Sequence, residues 1–306
     1  MSRYITCLLF ILVSLTWGTT WLAMRIAVES IPPIFATGMR FIFSAPLIMF
    51  IAWVTKAPLL FPPSMRWFQL KVCLFYFSIP FSLMIYGEIY VNSGLASIIF
   101  AYMPVAILIT SCLLLKEKVT PIQIIGLIVS IIALIGILLE ESQESAAGAW
   151  RGVMALTAAV LMHAVMYAVC KKCGYTISVV TFNALPCLGA GLILLPIGFY
   201  FESPIFSQFS SYSLLAIIYL GVFAGVFGIL SYFALQQRVS SFQASIVFLV
   251  FPLIAVGLEK YIYGYVLSQN AMLLMMPLFL GIFLILRNPP SIDGTRESKV
   301  TTSTTD

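Results

Sequence analysis

ASIIFAYMPVAILIT, residues 96–110, returns in altered form as ASIVFLVFPLIAVGL, residues 244–258. Both stretches open Ala-Ser-Ile and carry a proline eight residues after the alanine, Pro104 and Pro252, and they stand 148 residues apart. A second pair recurs at an interval of 146 residues: Trp17, Trp21 and Arg25 fall against His163, Tyr167 and Lys171, so that ring, ring and cation repeat at one spacing. On a helix, positions i, i+4 and i+8 form a stripe spanning ~80° of one face. The chain is therefore read first as two copies of one unit.

That unit is apolar. Hydrophobic residues make up 61% of the chain and charged residues 9%, with a mean hydropathy of +1.07, whereas about a quarter of a soluble domain is charged. A helix needs ~20 apolar residues to cross a bilayer. Apolar runs at 5–28, 33–55, 69–91, 95–115, 121–140, 151–170, 176–200, 212–236, 242–264 and 270–287 give ten crossings in the 306 residues. Between them lie helix-ending residues: Pro32-Pro33, Pro58, Pro62-Pro63, Pro121 and Pro289-Pro290. The first run has only Arg3 before it and no small-residue cleavage pattern after it, so it reads as helix 1 and not as a removable signal.

Lysine and arginine set the orientation. With a cytoplasmic N-terminus, twelve of the sixteen basic residues fall inside, while the outer connectors hold Arg151 with Glu140, Glu141, Glu144 and Glu202. This positive-inside bias puts both termini in the cytoplasm of a bacterial-type inner membrane. Each half has five helices, an odd number, so the second half enters the membrane in the opposite sense. The expected fold is an all-α polytopic membrane protein of ten transmembrane helices, built as two inverted five-helix repeats, 5–140 and 150–288, with a disordered cytoplasmic tail, 289–306.

Other functions are disfavoured by what the residues lack. The net charge of +5 is scattered between apolar runs, so it reports topology and not nucleic-acid binding. No phosphate-binding Gly-x-x-x-x-Gly-Lys-Ser/Thr loop is present, nor His-Glu-x-x-His or Gly-x-Ser-x-Gly. Both aspartates, Asp293 and Asp306, lie in the tail, which weakens an intramembrane enzyme; scattered single charges instead of matched filter segments weaken a channel. Cys170 and Cys173 form one C-x-x-C with no second pair or His partner, so no metal or other cofactor is expected. The expected partners are a small-molecule metabolite and the lipid bilayer, with the protein a monomer or homodimer.

The order Trp17-Gly18, Arg25, Pro33 and Arg40 resembles the first two helices of an EamA-type repeat of the drug/metabolite transporter superfamily. ASIIFAYMPVAILITSCLLLKEKVTPIQIIG resembles that repeat's later signature, with Pro104, Glu117, Gln123 and Gly126. The resemblance covers residues 5 to 287 and implies a ten-helix metabolite or drug exporter with a substrate cavity between the repeats. The second repeat departs from it: Tyr265, Ala271 and Leu274 stand 148 residues after Glu117, Gln123 and Gly126, so helix 10 is expected to pack differently.

Charges inside the bilayer cost at least ~2.5–3.5 kcal/mol, so they face the bundle interior and pair. Arg25, Arg40, Glu88 and the pair Glu259-Lys260 all fall in the outer half. Glu88 is expected to pair with Arg25 or Arg40 when the outer end is shut; alternatively Arg25 and Lys260 snorkel to headgroups. Trp17, Trp21, Tyr102, His163, Tyr167 and Tyr232 are the candidate substrate-binding residues, set against a membrane-interface reading for the aromatics. His163, the one histidine, suits proton or substrate binding, or a hydrogen-bonded structural role. Pro104 and Pro252 are candidate hinges, because each breaks a backbone hydrogen bond mid-membrane. Gly221 and Gly225 form a G-x-x-x-G seam. The expected function is a secondary transporter exporting a small metabolite such as an amino acid or derivative, the alternative a drug-efflux carrier.

Overall fold

A computed structural model describes residues 2–144, 148–172, 177–239 and 244–287. Those residues form ten helical rods: α1 (Ser2–Val28), α2 (Pro33–Val54), α3 (Pro63–Gly87), α4 (Ser93–Leu115), α5 (Pro121–Glu144), α6 (Ala149–Lys172), α7 (Val179–Glu202), α8 (Ser211–Gln236), α9 (Val247–Tyr263) and α10 (Gln269–Arg287). Among the described residues nine of them are long and apolar enough to span a membrane. The tenth, α9, has 17 residues and is preceded by a turn at Ile246. The tail and Cys173 lie outside the described residues.

Local chemistry sets the helix ends. Pro33 and Pro121 open α2 and α5, where a missing N–H costs nothing. Asn92, Ser178 and Ser210 cap α4, α7 and α8, each side-chain oxygen accepting from the backbone N–H three residues on. Gly264, at φ +70°, closes α9 in the left-handed region that glycine adopts without strain. Helix α3 begins at Pro63, earlier than the apolar run suggests. The side chain of Gln69 accepts from the Phe61 N–H at 3.1 Å and donates to the Leu59 carbonyl at 2.9 Å, binding the polar connector to the rod.

The inverted repeat is visible in the packing. Helix α1 lies on α9 and α8, while α6 lies on α4 and α3; α8 lies on α2 as α3 lies on α7. Adding five to each helix of one repeat, and subtracting five in the other, converts each contact into its counterpart. The two most extensive contacts, α2 with α7 and α5 with α10, are their own counterparts and therefore sit on the axis relating the repeats.

Both axial pairs are antiparallel and bound by a glutamate crossing between repeats. Glu202, ending α7, accepts from the N–H groups of Ile34 and Phe35 at 3.0 and 2.8 Å, satisfying donors that the start of α2 leaves free. Glu141, near the end of α5, accepts from the Ser268 N–H at 3.0 Å and from the Tyr265 hydroxyl beside the start of α10. The tyrosine that replaces the family glutamate thus meets an acid supplied by the other repeat.

Glycines set the approach. A Cβ on Gly126 would stand 2.6 Å from the Gly281 carbonyl oxygen, and one on Gly281 would stand 2.6 Å from that of Gly126. Leu274, which replaces a glycine of the pattern, rests on Gly136 instead, so α10 keeps close contact through a different small residue.

Two π-helical turns mark corresponding places, Cys73–Ser78 in α3 and Tyr219–Gly228 in α8, which begin 146 residues apart. Helix α4 is interrupted at Tyr102. Pro104 has no N–H to give the Phe100 carbonyl, and the Tyr102 N–H bonds the Ile99 carbonyl three residues back at 3.2 Å. In α9 the rod continues through Pro252.

Candidate functional site

The end of the bundle that carries the α1–α2 connection is closed by charged groups. Arg25, one turn from the end of α1, forms an ion pair with Glu259 of α9, which is 1% exposed. The second oxygen of Glu259 accepts a hydrogen bond from Ser93, the first residue of α4. The guanidinium also lies over the ring of Tyr263, 3.8 Å from its centroid, and the Tyr263 hydroxyl donates to Glu29. Helices α1, α4 and α9 are thereby joined through one arginine. Because Glu259 is withdrawn from water, the pair holds only while both partners stay in place.

The counterpart positions in the sequence do not repeat the same residues. Stepping back 148 residues from Glu259 reaches Ser111, and 146 residues on from Arg25 stands Lys171, so the second repeat's cation has no matching acid at that place. Thr110 instead donates to the Ala164 carbonyl at 3.2 Å, a neutral contact between α4 and α6.

Below the lock lies a layer of rings. Trp17 meets Tyr232, Phe248 and Phe251 at centroid distances of 4.7, 5.5 and 6.2 Å. Trp21, fully buried, meets Phe100 at 5.2 Å and Phe251 at 6.4 Å. On the other side of the axis, His163 lies edge-on to Tyr76, Phe81 and Phe100 at 5.0, 5.3 and 5.8 Å. The contacts Trp17–Phe248 and His163–Phe100 are counterparts under the repeat. Phe100 touches both Trp21 and His163, so the two stripes meet through one ring.

The candidate residues divide between these levels. Trp17 and Tyr232 share a face of the ring layer and are half-buried. His163 is buried, and its Nδ1 lies 3.0 Å from the Ala159 carbonyl; a carbonyl only accepts, so this nitrogen carries the proton. Tyr167 is half exposed. Tyr102 pairs with Ser130 of α5 and packs against the same apolar core as Trp17.

Three expectations about charges need correction. Arg25 does not reach out to headgroups, because Glu259 and the Tyr263 ring hold it. Its acidic partner is Glu259 and not Glu88. Arg40 is buried without an ion pair among the described residues; its guanidinium stands over Phe81 at 4.8 Å, and Nη1 lies 3.8 Å from the Met24 sulfur. Lys260 is exposed, in keeping with a snorkelling lysine. Gly221 and Gly225 form the expected seam: a Cβ on Gly221 would stand 2.6 Å from the Arg40 carbonyl, and Ser44 donates to the Gly221 carbonyl at 2.8 Å.

Ser93, Glu29, Tyr263, Tyr76, Phe81, Phe100, Phe248 and Phe251 belong to the site and were absent from the expected set. Phe100 and Phe248 were within reach of the residues alone, since they occupy the same place in the two copies of the ASI stretch. Ser93 and Tyr263 offered no such signal.

Ten helices in two inverted repeats, joined by charge at one end over an aromatic layer, make a polytopic membrane protein. Comparison with known proteins agrees. The model of the EamA-like transporter family matches residues 4–139 and 150–287, one repeat each, and the chain belongs to that family. It is 62% identical over 300 residues to Protein PagO of Salmonella typhimurium, covering 97% of this chain and 99% of that one. It is 52% identical to an uncharacterized transporter of Buchnera aphidicola subsp. Schizaphis graminum, over 94% of this chain and 95% of the relative. A solved crystal structure superposes with a TM-score of 0.65 over 93% of this chain and 96% of its own, at 16% identity, a likeness of fold. The protein is a membrane transporter of the drug/metabolite transporter superfamily.

Proposed function

We propose that this transporter exports a small metabolite, an amino acid or a derivative of one, across a bacterial inner membrane by alternating access. Both termini lie in the cytoplasm, so the α1–α2 end faces outward. The observation that carries the reading is the Arg25–Glu259–Ser93 lock, present at that end and without its acid at the counterpart position of the other. In this conformation the outer end is shut. Substrate enters from the cytoplasmic side and rests on the ring layer, where Trp17, Tyr232 and His163 offer apolar faces with polar edges. Outward opening separates α1 from α9 and frees the Arg25 guanidinium, which attracts a carboxylate and draws a substrate that carries one toward the exit.

Drug efflux is the second reading, favoured by the aromatic lining alone. Purified protein in liposomes, loaded with unlabelled compound and assayed for counterflow, separates the two. Saturable counterflow of labelled amino acids, undiminished by lipophilic cations, is expected. Counterflow of lipophilic drugs without amino acids would establish the second reading, and no saturable flux across both panels would remove the substrate assignment.

A further inference from the structure

Glu88, in the turn directly after α3, is the member of the charged end that the lock leaves over. Its side chain is 4% exposed, and neither carboxyl oxygen has a hydrogen-bond partner. The ionisable groups carried by the surrounding elements are otherwise engaged. On α1, Arg25 is held by Glu259 and the Tyr263 ring, and Glu29 receives the Tyr263 hydroxyl. On α2, Arg40 stands over Phe81, two turns back along α3 from Glu88. On α6, Arg151 lies over the rings of Tyr90 and Trp150, at 5.9 and 5.6 Å. Next to Glu88 in sequence, Tyr86 and Tyr90 hydrogen-bond each other at 3.2 Å. On α9, Glu259 is taken by Arg25 and Ser93. Of these cations, Arg25 is the one whose charge reaches Glu88.

A buried carboxylate with no donor and no ion-pair partner is far more costly than the neutral acid, which has only an O–H to satisfy. We propose that Glu88 is a proton-binding site, protonated while the α1–α2 end is shut and ionised when that end opens. Opening breaks the Arg25–Glu259 pair, and Arg25 passes to Glu88. The Glu88 O–H bond breaks, its proton goes to water at that end, and the guanidinium–carboxylate pair takes its place. Closure reverses each step, so one proton is bound for every return of Arg25 to Glu259. The cluster is then a two-position arginine switch in which a proton and a cation compete for one carboxylate. The inference rests on reading the α1–α2 end as a gate.

Infrared spectroscopy of the full chain in nanodiscs reads the protonated acid directly, through the carbonyl stretch of a carboxylic acid. That band is expected in the wild type at neutral pH and missing in Glu88→Gln. Glu259→Gln leaves Arg25 without its present partner, so the band is expected to fade there although Glu88 is intact. A band that survives in Glu88→Gln, or is unchanged in Glu259→Gln, would overturn the assignment. A second measurement follows the distance between site-specific labels at Phe201 on α7 and Tyr261 on α9, both exposed, from acid to alkaline pH. The ends are expected to separate as pH rises in the wild type and to lose that dependence in Glu88→Gln, with native folding of the variant checked by its thermal unfolding. Separation that keeps the same pH dependence in Glu88→Gln would refute the proton site while leaving the gate standing. Labels that never separate, in the wild type or in Glu259→Gln, would refute the gate and the switch with it.

Discussion

At the scale of single residues, the lock depends on two charges that lie far apart in the chain. Removing one partner strands the other, so Arg25→Glu and Glu259→Arg should each destabilise the bundle by about 3 kcal/mol. The double exchange should recover part of that loss in thermal unfolding and in transport. Equal losses in the double and single variants would show that position and not charge is what matters. Trp17 makes a different kind of contribution, through ring contacts on three sides. Trp17→Ala should raise the KM of counterflow roughly tenfold, the loss of about 1.4 kcal/mol of aromatic contact. A KM that stays put with unchanged protein stability would move the substrate away from this face. The residues suggested pairing for Arg25 but named Glu88. In the sequence Glu259 is an intramembrane charge beside Lys260 in the outer half, and only helix rotation turns one of two neighbours inward and the other outward.

At the scale of helices, the axial pairs make the closest backbone contacts, whereas α3, α4 and α8 depart from regular α-helix along their length. Helices α5 and α10 touch backbone to backbone at Gly126 and Gly281. Gly281→Leu forces a side chain against a carbonyl that cannot retreat, and overpacking of this sort costs about 1–3 kcal/mol. Thermal unfolding in detergent should show the loss, with Leu280→Ala on the exposed face as a neutral control. The cross-cap of Glu202 on α2 is worth about 1 kcal/mol by analogy with N-caps, so Glu202→Ala should lower stability modestly while Glu202→Asp recovers some of it. Periodicity and prolines were enough to read eight of the ten rods within about four residues at both ends, α3 and α9 being the exceptions. They were silent about the π-helical turns in α3 and α8, because a π turn leaves no change in apolar composition. They also treated Pro104 and Pro252 alike, whereas α4 is interrupted two residues ahead of its proline and α9 continues through its own.

At the scale of the molecule, the repeats have the same path and unequal ends. If the α1–α2 end faces outward, reporter fusions at the N-terminus and after Arg287 should both register as cytoplasmic, and a tag in the α5–α6 connection as external. The reverse pattern would invert the direction of export while leaving the bundle unchanged. The inequality of the ends is written on a frame of near-equal halves: the offset that carries Trp17 onto His163 carries Arg25 onto Lys171, but the one that carries Pro252 back onto Pro104 carries Glu259 onto Ser111.

Hydropathy, proline placement and the duplicated ASI stretch were sufficient to establish helices, their number and their inverted arrangement, because each is a local or periodic property of the chain. The family and the candidate charges followed from the same linear pattern. Which acid holds Arg25, which rings close on Trp17 and His163, and which carboxyl is left alone depend on side chains from helices up to 234 residues apart. Contacts of that kind are set by how helices rotate and cross when small residues let their backbones meet. That information resides in the packing of α1, α4 and α9 together, and no single stretch contains it.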